Sequence, residues 1–358
     1  MRVTQSMLSS SALNNLNSSY QRMQTYTNQL TTGKKITKPS QDPVVAMQSI
    51  NYRTEVGEIR QYLDRNIPQV YSWMDNTDSS LDEVGKVMTR ISELTIQAAN
   101  ETLGDNELQA IAKELTQLIE HVGAIGNTQV NGQYIFNGTD TSNAPFDLEK
   151  INIAIADMDL PNEEYLFVYD SKTFEWNEEE GVFTDGTSNY VLIDDQFVDA
   201  DTSEPLPADE VVVMEKSALP TNSEEVTIEV MKGVEIGVNI AAGEVFTAEL
   251  FGDLYALTNK LNAGESGEEI SPFIEKIDNH MDAFLSQRAE VGAKYNRVEM
   301  IDARLVEQEV IAINAMSNNE DVDIERVIMD LLSEETVLNA TLAVTSNIIQ
   351  TSLVDYLR

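Results

Sequence analysis

Cysteine is absent from all 358 residues, which excludes disulfides, thiolate nucleophiles and cysteine-ligated metals. Histidine occurs twice, as His121 and His280. Neither has a serine or aspartate at a catalytic spacing, so both are expected to be structural, with no catalytic residues. Zinc-ligand spacings and glycine-rich phosphate loops are missing as well, and the reading is of a non-enzyme without metal or cofactor. Long apolar runs are lacking: no stretch approaches the ~18 residues of a membrane span. Met1-Arg2-Val3-Thr4 leads into Ser, Asn and Gln without the apolar core of a signal peptide. An exported chain would then leave without a cleaved signal. Basic residues are scarce, 23 against 61 acidic, for a net charge of −38. That field repels phosphate backbones and anionic lipid, so nucleic acid and membrane are not expected partners.

Charge is unevenly placed. Residues 1–45 carry Arg2, Arg22, Lys34, Lys35 and Lys38 against Asp42, a net of +4. Residues 141–250 carry 26 acidic side chains against Lys150, Lys172, Lys216 and Lys232, a net of −22. The middle of the chain therefore reads as a solvated, self-repelling surface, and the ends as the place where contacts form.

Apolar side chains recur at helical spacing through both ends. In residues 1–33, 19 positions are Ser, Thr, Asn or Gln. Leu13, Leu16, Tyr20, Met23, Thr27 and Leu30 still mark one narrow stripe, the pattern of helix-on-helix packing. Gly33, Pro39 and Pro43 punctuate a loop. From Val44 to about Asn100 a long helix is predicted. Val56, Leu63, Val70, Thr77, Val84, Ile91 and Ala98 form its heptad series, reinforced by Met74, Leu81, Met88 and Thr95. Pro68 should kink or split it. After Gly104, Leu108, Ile111, Leu115, Leu118, Val122 and Ile125 predict an antiparallel neighbour. A second unbroken heptad follows in the C-terminal half: Ile270, Ile277, Phe284, Val291, Val298, Leu305 and Ala312. Asn318-Asn319-Glu320-Asp321 is read as an interruption before a last helix.

Between these stretches the period changes. Asn131-Gly132 and Asn137-Gly138 flank Gln133–Phe136, the signature of a strand or hairpin bounded by turns. Tyr165–Tyr169, Tyr190–Ile193, Val211–Met214 and Val226–Met231 are β-prone and separated by acidic loops. The expected fold is mainly α with a β-rich insert, the two chain ends forming an antiparallel coiled-coil-like helical rod. Domain boundaries are placed at 1–43, 44–140, 141–250 (the acidic insert), 251–319 and 320–358, the first and last segments pairing. Each apolar side chain in the terminal stripes offers ~1.5–3 kcal/mol once buried. A single helix of this length cannot bury its own stripe. Leu331, Leu338, Leu342, Ile349, Leu353 and Tyr356 are therefore expected to join Leu13, Leu16, Tyr20, Met23 and Leu30 as the assembly seam.

Asp194, Asp195, Asp199 and Asp201 are the best oxygen-rich cluster for calcium, but they lack the glycine and terminal Glu of a calcium loop, and a solvated face is preferred.

Four runs resemble the bacterial flagellin superfamily. Gly33-Lys34-Lys35-Ile36-Thr37-Lys38-Pro39-Ser40-Gln41-Asp42-Pro43 is similar to the superfamily's N-terminal loop, although Gln41 stands where an acidic residue is frequent. Glu93–Asn100 resembles the run closing its long helix, and Gly132–Thr139 the turn into its variable domain. Val291–Glu299, with Gly292, Ala293, Asn296 and Arg297, resembles its C-terminal glycine-alanine-x-x-asparagine-arginine segment. Within the superfamily, the prolines around Ser40-Gln41-Asp42, Trp73 and the ending Thr351–Leu357 resemble the branch that joins hook to filament. The resemblance implies an extracellular structural role in the flagellum, as a ring of subunits between a hook-side junction protein and the first flagellin subunits. It also implies export through the flagellar type III channel, with a chaperone on the C-terminal helix. A filament flagellin of the same fold, or a secreted coiled-coil scaffold or adhesin, are the alternative readings.

Overall fold

The structure is a computed structural model that describes residues 5–100, 104–155, 158, 163–220, 222–240, 242–265 and 267–356. Side chains at 5, 6, 8 and 347–356 are outside that description. Helices α1 (Gln5–Thr32) and α2 (Pro43–Gln61) lead through a π turn (Tyr62–Asn66) into α3 (Ile67–Ala98) and α4 (Asp105–Gly126). Strands follow: β1 (Gln129–Val130), β2 (Gln133–Tyr134), β3 (Ile151–Ile153), β4 (Tyr165–Tyr169), β5 (Lys172–Asn177), β6 (Val182–Thr184) and β7 (Asn189–Ile193). Then come β8 (Gln196–Asp199), β9 (Val212–Glu215), β10 (Thr227–Met231) and β11 (Val234–Gly237). The chain ends in α5 (Ala242–Val245), α6 (Ala248–Ala263), α7 (Gly267–Ile270), α8 (Pro272–Glu320) and α9 (Ile324–Tyr356). Residues 1–61 with 304–358 form one compact unit and residues 62–303 a second.

The first unit joins the two chain ends. α1 is rich in residues of modest helix propensity, and several of its hydroxyls satisfy themselves by bonding back one turn. Ser18, Thr25, Thr27, Thr31 and Thr32 hydroxyls donate to the carbonyls four residues earlier at 2.8–3.0 Å. Gly33, at φ +68°, ends the helix in the left-handed region and donates its N–H to Gln29 O at 2.8 Å. α9 runs antiparallel to α1: Val322 N–H reaches Gly33 O, and Glu334 takes hydrogen bonds from Ser19 and Arg22. Asp323 caps α9 by accepting from Arg326 N–H at 3.2 Å. The expected break at 318–321 is therefore narrower and later. Residues 318–320 complete α8, because their side chains and carbonyls find partners on the facing loop and α2.

Both long heptads are buried, mostly in the second unit, with Val56, Leu305 and Ala312 in the first. Every member of the Val70–Ala98 series and its Met74–Thr95 companion is buried. Leu63 alone is half-buried. The π turn ending just before Pro68 explains this: a ring without an N–H cannot continue the ladder, and the wider turn shifts phase so that Ile67 takes the buried position. On α4 the stripe slides similarly, Ile119 being fully buried and Leu118 only half. Arg90 donates to Glu114 at 2.8 Å across the antiparallel α3–α4 pair.

The insert is a seven-stranded antiparallel sheet in the order β3-β9-β4-β5-β6-β7-β8. One face carries an aromatic core of Tyr165, Phe167, Phe174, Phe183, Tyr190 and Phe197, with Phe167 stacked on Phe174 at 4.9 Å. α6 packs against the sheet, and a side chain at Gly252 would run into Val168. The β-prone segments read from sequence appear as β4, β7, β9 and β10. β5 and β8 are not evident from sequence because Lys172, Thr173 and Gln196 leave them few apolar positions, and β6 because it is only three residues long. Two-residue hairpin turns at Asn131-Gly132, Asp170-Ser171 and Asp194-Asp195 all have positive φ.

Candidate assembly surface

The first unit is tied together by the loop at 33–42. Gln41 N–H donates to Lys38 O at 3.0 Å, closing a β-turn with Pro39 at its second position, while Ser40 is exposed. The Gln41 side-chain oxygen accepts from Thr37 N–H at 2.7 Å and Lys38 N–H at 3.1 Å. Asp42 Oδ1 accepts from Val44 and Val45 N–H, capping α2 with Pro43 at its first position. Lys35 donates its N–H to Glu320 O and its Nζ to Asn318 O, and Ile36 is half-buried. The loop is thus fastened onto the end of α8.

At the centre lies Glu320, whose side chain is 4% exposed. Arg53 donates to both of its oxygens at 2.7 and 2.6 Å, and Lys34 approaches at 3.1 Å. The Arg53 hydrogen bonds, aided by those of Lys34, hold its carboxyl below the usual carboxylate range against the opposing effect of burial. Asp321 is lowered mainly by Lys34, and Glu334 mainly by Arg22. Asn319 adds hydrogen bonds to Val45 O and Ser49 Oγ. Arg60 pairs with Glu309 at 2.7 Å.

Of the expected seam, Leu16 and Met23 of α1 are half-buried, as is Leu331, while Leu338 is buried. Leu13, Tyr20 and Leu30 face solvent, and Leu342 is 41% exposed. Ile349, Leu353 and Tyr356 have side chains outside the described residues. The stripe turned inward on α1 is Ala12, Leu16, Ser19, Met23 and Tyr26; on α9 it is Val327, Leu331, Glu334, Leu338, Thr341 and Thr345. Both alternate steps of three and four. Within one copy Ser19 and Arg22, rather than further apolar residues of α1, meet Glu334 in this contact.

Several large apolar residues remain uncovered. On α2, Val44, Met47 and Ile50 are each more than 60% exposed. On α9, Ile328, Met329 and Leu332 are exposed too. Apolar surface clustered on two helices of one unit marks a contact face. In the second unit, Gly292, Ala293, Asn296 and Arg297 all lie on the solvent side of α8, opposite buried Val291 and Val298.

Residues weighed for chemistry have local duties. Asp194 and Asp195 form the β7–β8 turn, and Asp199 accepts from Asp201 and Thr202 N–H. His280 Nε2 lies 2.8 Å from Asp253 Oδ2. That buried carboxylate also accepts from Ser171 at 2.7 Å and Lys276 at 3.4 Å. His280 thereby joins the β4–β5 turn to α6 and α8. Partners so distant in sequence could not be seen from spacing.

Residues 3–141 match the family model described as the bacterial flagellin N-terminal helical region. Flagellar hook-associated protein 3 of Escherichia coli K12 is 24% identical over 345 residues, covering 95% of each chain. The protein of that name from Salmonella typhimurium is 29% identical over 149 residues, 41% of this chain and 46% of its own. Among solved structures, a putative flagellar hook-associated protein from Vibrio parahaemolyticus superposes with a TM-score of 0.54 at 18% identity. It covers 78% of this chain and all of the other, a likeness of fold.

Proposed function

We infer that this chain, whose residues 3–141 are a bacterial flagellin N-terminal helical region, is a structural subunit of the flagellum that connects hook to filament. The observation that carries this reading is the alignment with a hook-associated protein 3 across 95% of both chains. The exposed apolar faces of the terminal unit support it, since they are suited to contacts with neighbouring subunits. On this reading the chain performs no catalysis. Its partners are further copies of itself in a ring, a hook-side junction protein and flagellin, with an export chaperone on the C-terminal helix. Its place is outside the cell, in the flagellum.

A filament flagellin is the second reading, favoured by the flagellin model matched at the N-terminus. Gene deletion followed by electron microscopy of cells and medium separates the two. Bare hooks with flagellin lost to the medium are expected for a junction subunit. Filament protein missing, with all junction proteins in place, would identify a filament subunit instead. Normal flagella would overturn both.

A further inference from the structure

An open groove of about 190 Å³ lies between the 33–42 loop and α2. Its wall is apolar at Ile36, Pro39, Ala46 and Ile50. Lys34, Lys38 and Arg53 stand around it. Lys34 and Arg53 are committed to Glu320, whereas the Lys38 side chain is exposed at the groove's mouth. The groove continues into the uncovered Val44, Met47 and Ile50 face of α2. In a chain of net charge −38, a basic-edged apolar groove is exceptional, and it favours an apolar occupant flanked by carboxylates.

The chain itself carries such a surface. The side of α9 turned away from the Val327–Thr345 seam presents Ile328, Met329 and Leu332, between exposed Glu325 and Glu335. Within a single copy this surface faces outward while the opposite side of α9 packs on α1, so it is available to a neighbour. We propose that the groove beside α2 receives the outward face of α9 from a second copy, with Lys38 set against Glu325 or Glu335. This deepens the flagellar reading and rests on it. The two surfaces differ, so the contact is head-to-tail; repeated, it generates a ring or a helical array rather than a closed pair.

Because the chain has no cysteine, single thiols report this contact directly. Ile50→Cys and Met329→Cys are both at exposed positions, and circular dichroism of each purified full-length variant checks that helix content is retained. The variants are mixed at high concentration and oxidised, with light scattering run in parallel on the unoxidised mixture. The expected result is disulfide dimer in the mixture at least tenfold above that from either variant alone. Disulfide formed mainly within Ile50→Cys alone would mean a two-fold contact and would overturn the proposal. So would larger species in light scattering without cross-linking, which leaves self-assembly standing. No larger species from any variant or from the unmodified chain would overturn the proposal together with the self-assembly it rests on. As a second measurement, Lys38→Glu should weaken association roughly fivefold, about 1 kcal/mol at an exposed pair, and so should the charge reversal of its partner, Glu335→Lys or Glu325→Lys. Lys38→Glu combined in one chain with Glu335→Lys should restore it if Glu335 is the partner; restoration with Glu325→Lys would identify Glu325, and restoration with neither would overturn the pairing.

Discussion

At position 41 an amide stands where the flagellin superfamily frequently has an acid, and the geometry explains the tolerance. Only the side-chain oxygen is used, receiving two backbone N–H groups. Gln41→Glu should therefore leave thermal stability nearly unchanged. Gln41→Leu orphans both donors and should cost about 1–2 kcal/mol in urea unfolding. Leu338 and Leu342 make a sharper pair. Leu338 is buried in the α1–α9 seam and Leu342 is exposed. Leu338→Asp puts a charge into the seam and should lower stability by about 3 kcal/mol or more. Leu342→Asp should leave melting within about 0.5 kcal/mol yet stop assembly, as read by sedimentation and by filaments on complemented cells. A soluble, stable Leu342→Asp chain that assembles normally would remove Leu342 from the contact surface. At this scale the sequence told which residue types mattered better than which way each one turned. Leu16, Met23 and Leu338 were legible from apolar spacing. Leu13, Tyr20 and Leu30 lie outside the α1–α9 contact of one copy, where a serine, an arginine and a glutamate carry part of the packing through hydrogen bonds.

Among the elements, the loop at 33–42, the start of α2 and the end of α8 stand or fall with Glu320. Its carboxyl is held below the ordinary range, as are those of Asp321 and Glu334. A depressed carboxylate contributes stability that is complete above its unfolded value and disappears as pH falls through the lowered folded one. The terminal unit should accordingly weaken on acidification below about pH 4, read as loss of helix signal in far-UV circular dichroism. Glu320→Gln should weaken the unit at neutral pH by about 1 kcal/mol, the solvent exposure of Arg53 keeping the loss small, and should flatten the acid response. Long helices were the most legible elements, since seven residues per repeat sustained over many turns admit few other readings. The π turn was foreseeable only as a disturbance at Pro68, because its form depends on how the ladder resumes around Ile67. The meander strands β5, β6 and β8 are too short or too polar for alternation to reveal them.

For the whole molecule, charge placement sets the conditions of association. Residues 141–250 carry −22 and residues 1–45 carry +4, so neighbouring copies repel through their inserts while their ends attract. The repulsion involves many charges and the attraction few. Raising sodium chloride from about 20 to 300 mM, which shortens the screening length severalfold, should strengthen self-association in light scattering, although individual ion pairs weaken. Association that falls steadily with salt would mean that ion pairs dominate the contact. Function was legible at this scale only through the combined order of several short runs. Composition by itself argued against nucleic acid and membrane surfaces but could not choose a partner.

Ser19 and Glu334, which meet in the terminal seam, are separated by 315 residues of chain. Helix α1 thus has no native partner until residues roughly 300 positions further along have been made, and closing so large a loop is slow. The 62–303 unit can condense early, while the terminal unit is completed last. A molecule built this way keeps its connecting surface unformed throughout synthesis. Until residues 324–345 have been made, neither the α1–α9 pair nor the outward face of α9 exists, so the order of synthesis itself delays any contact that uses them.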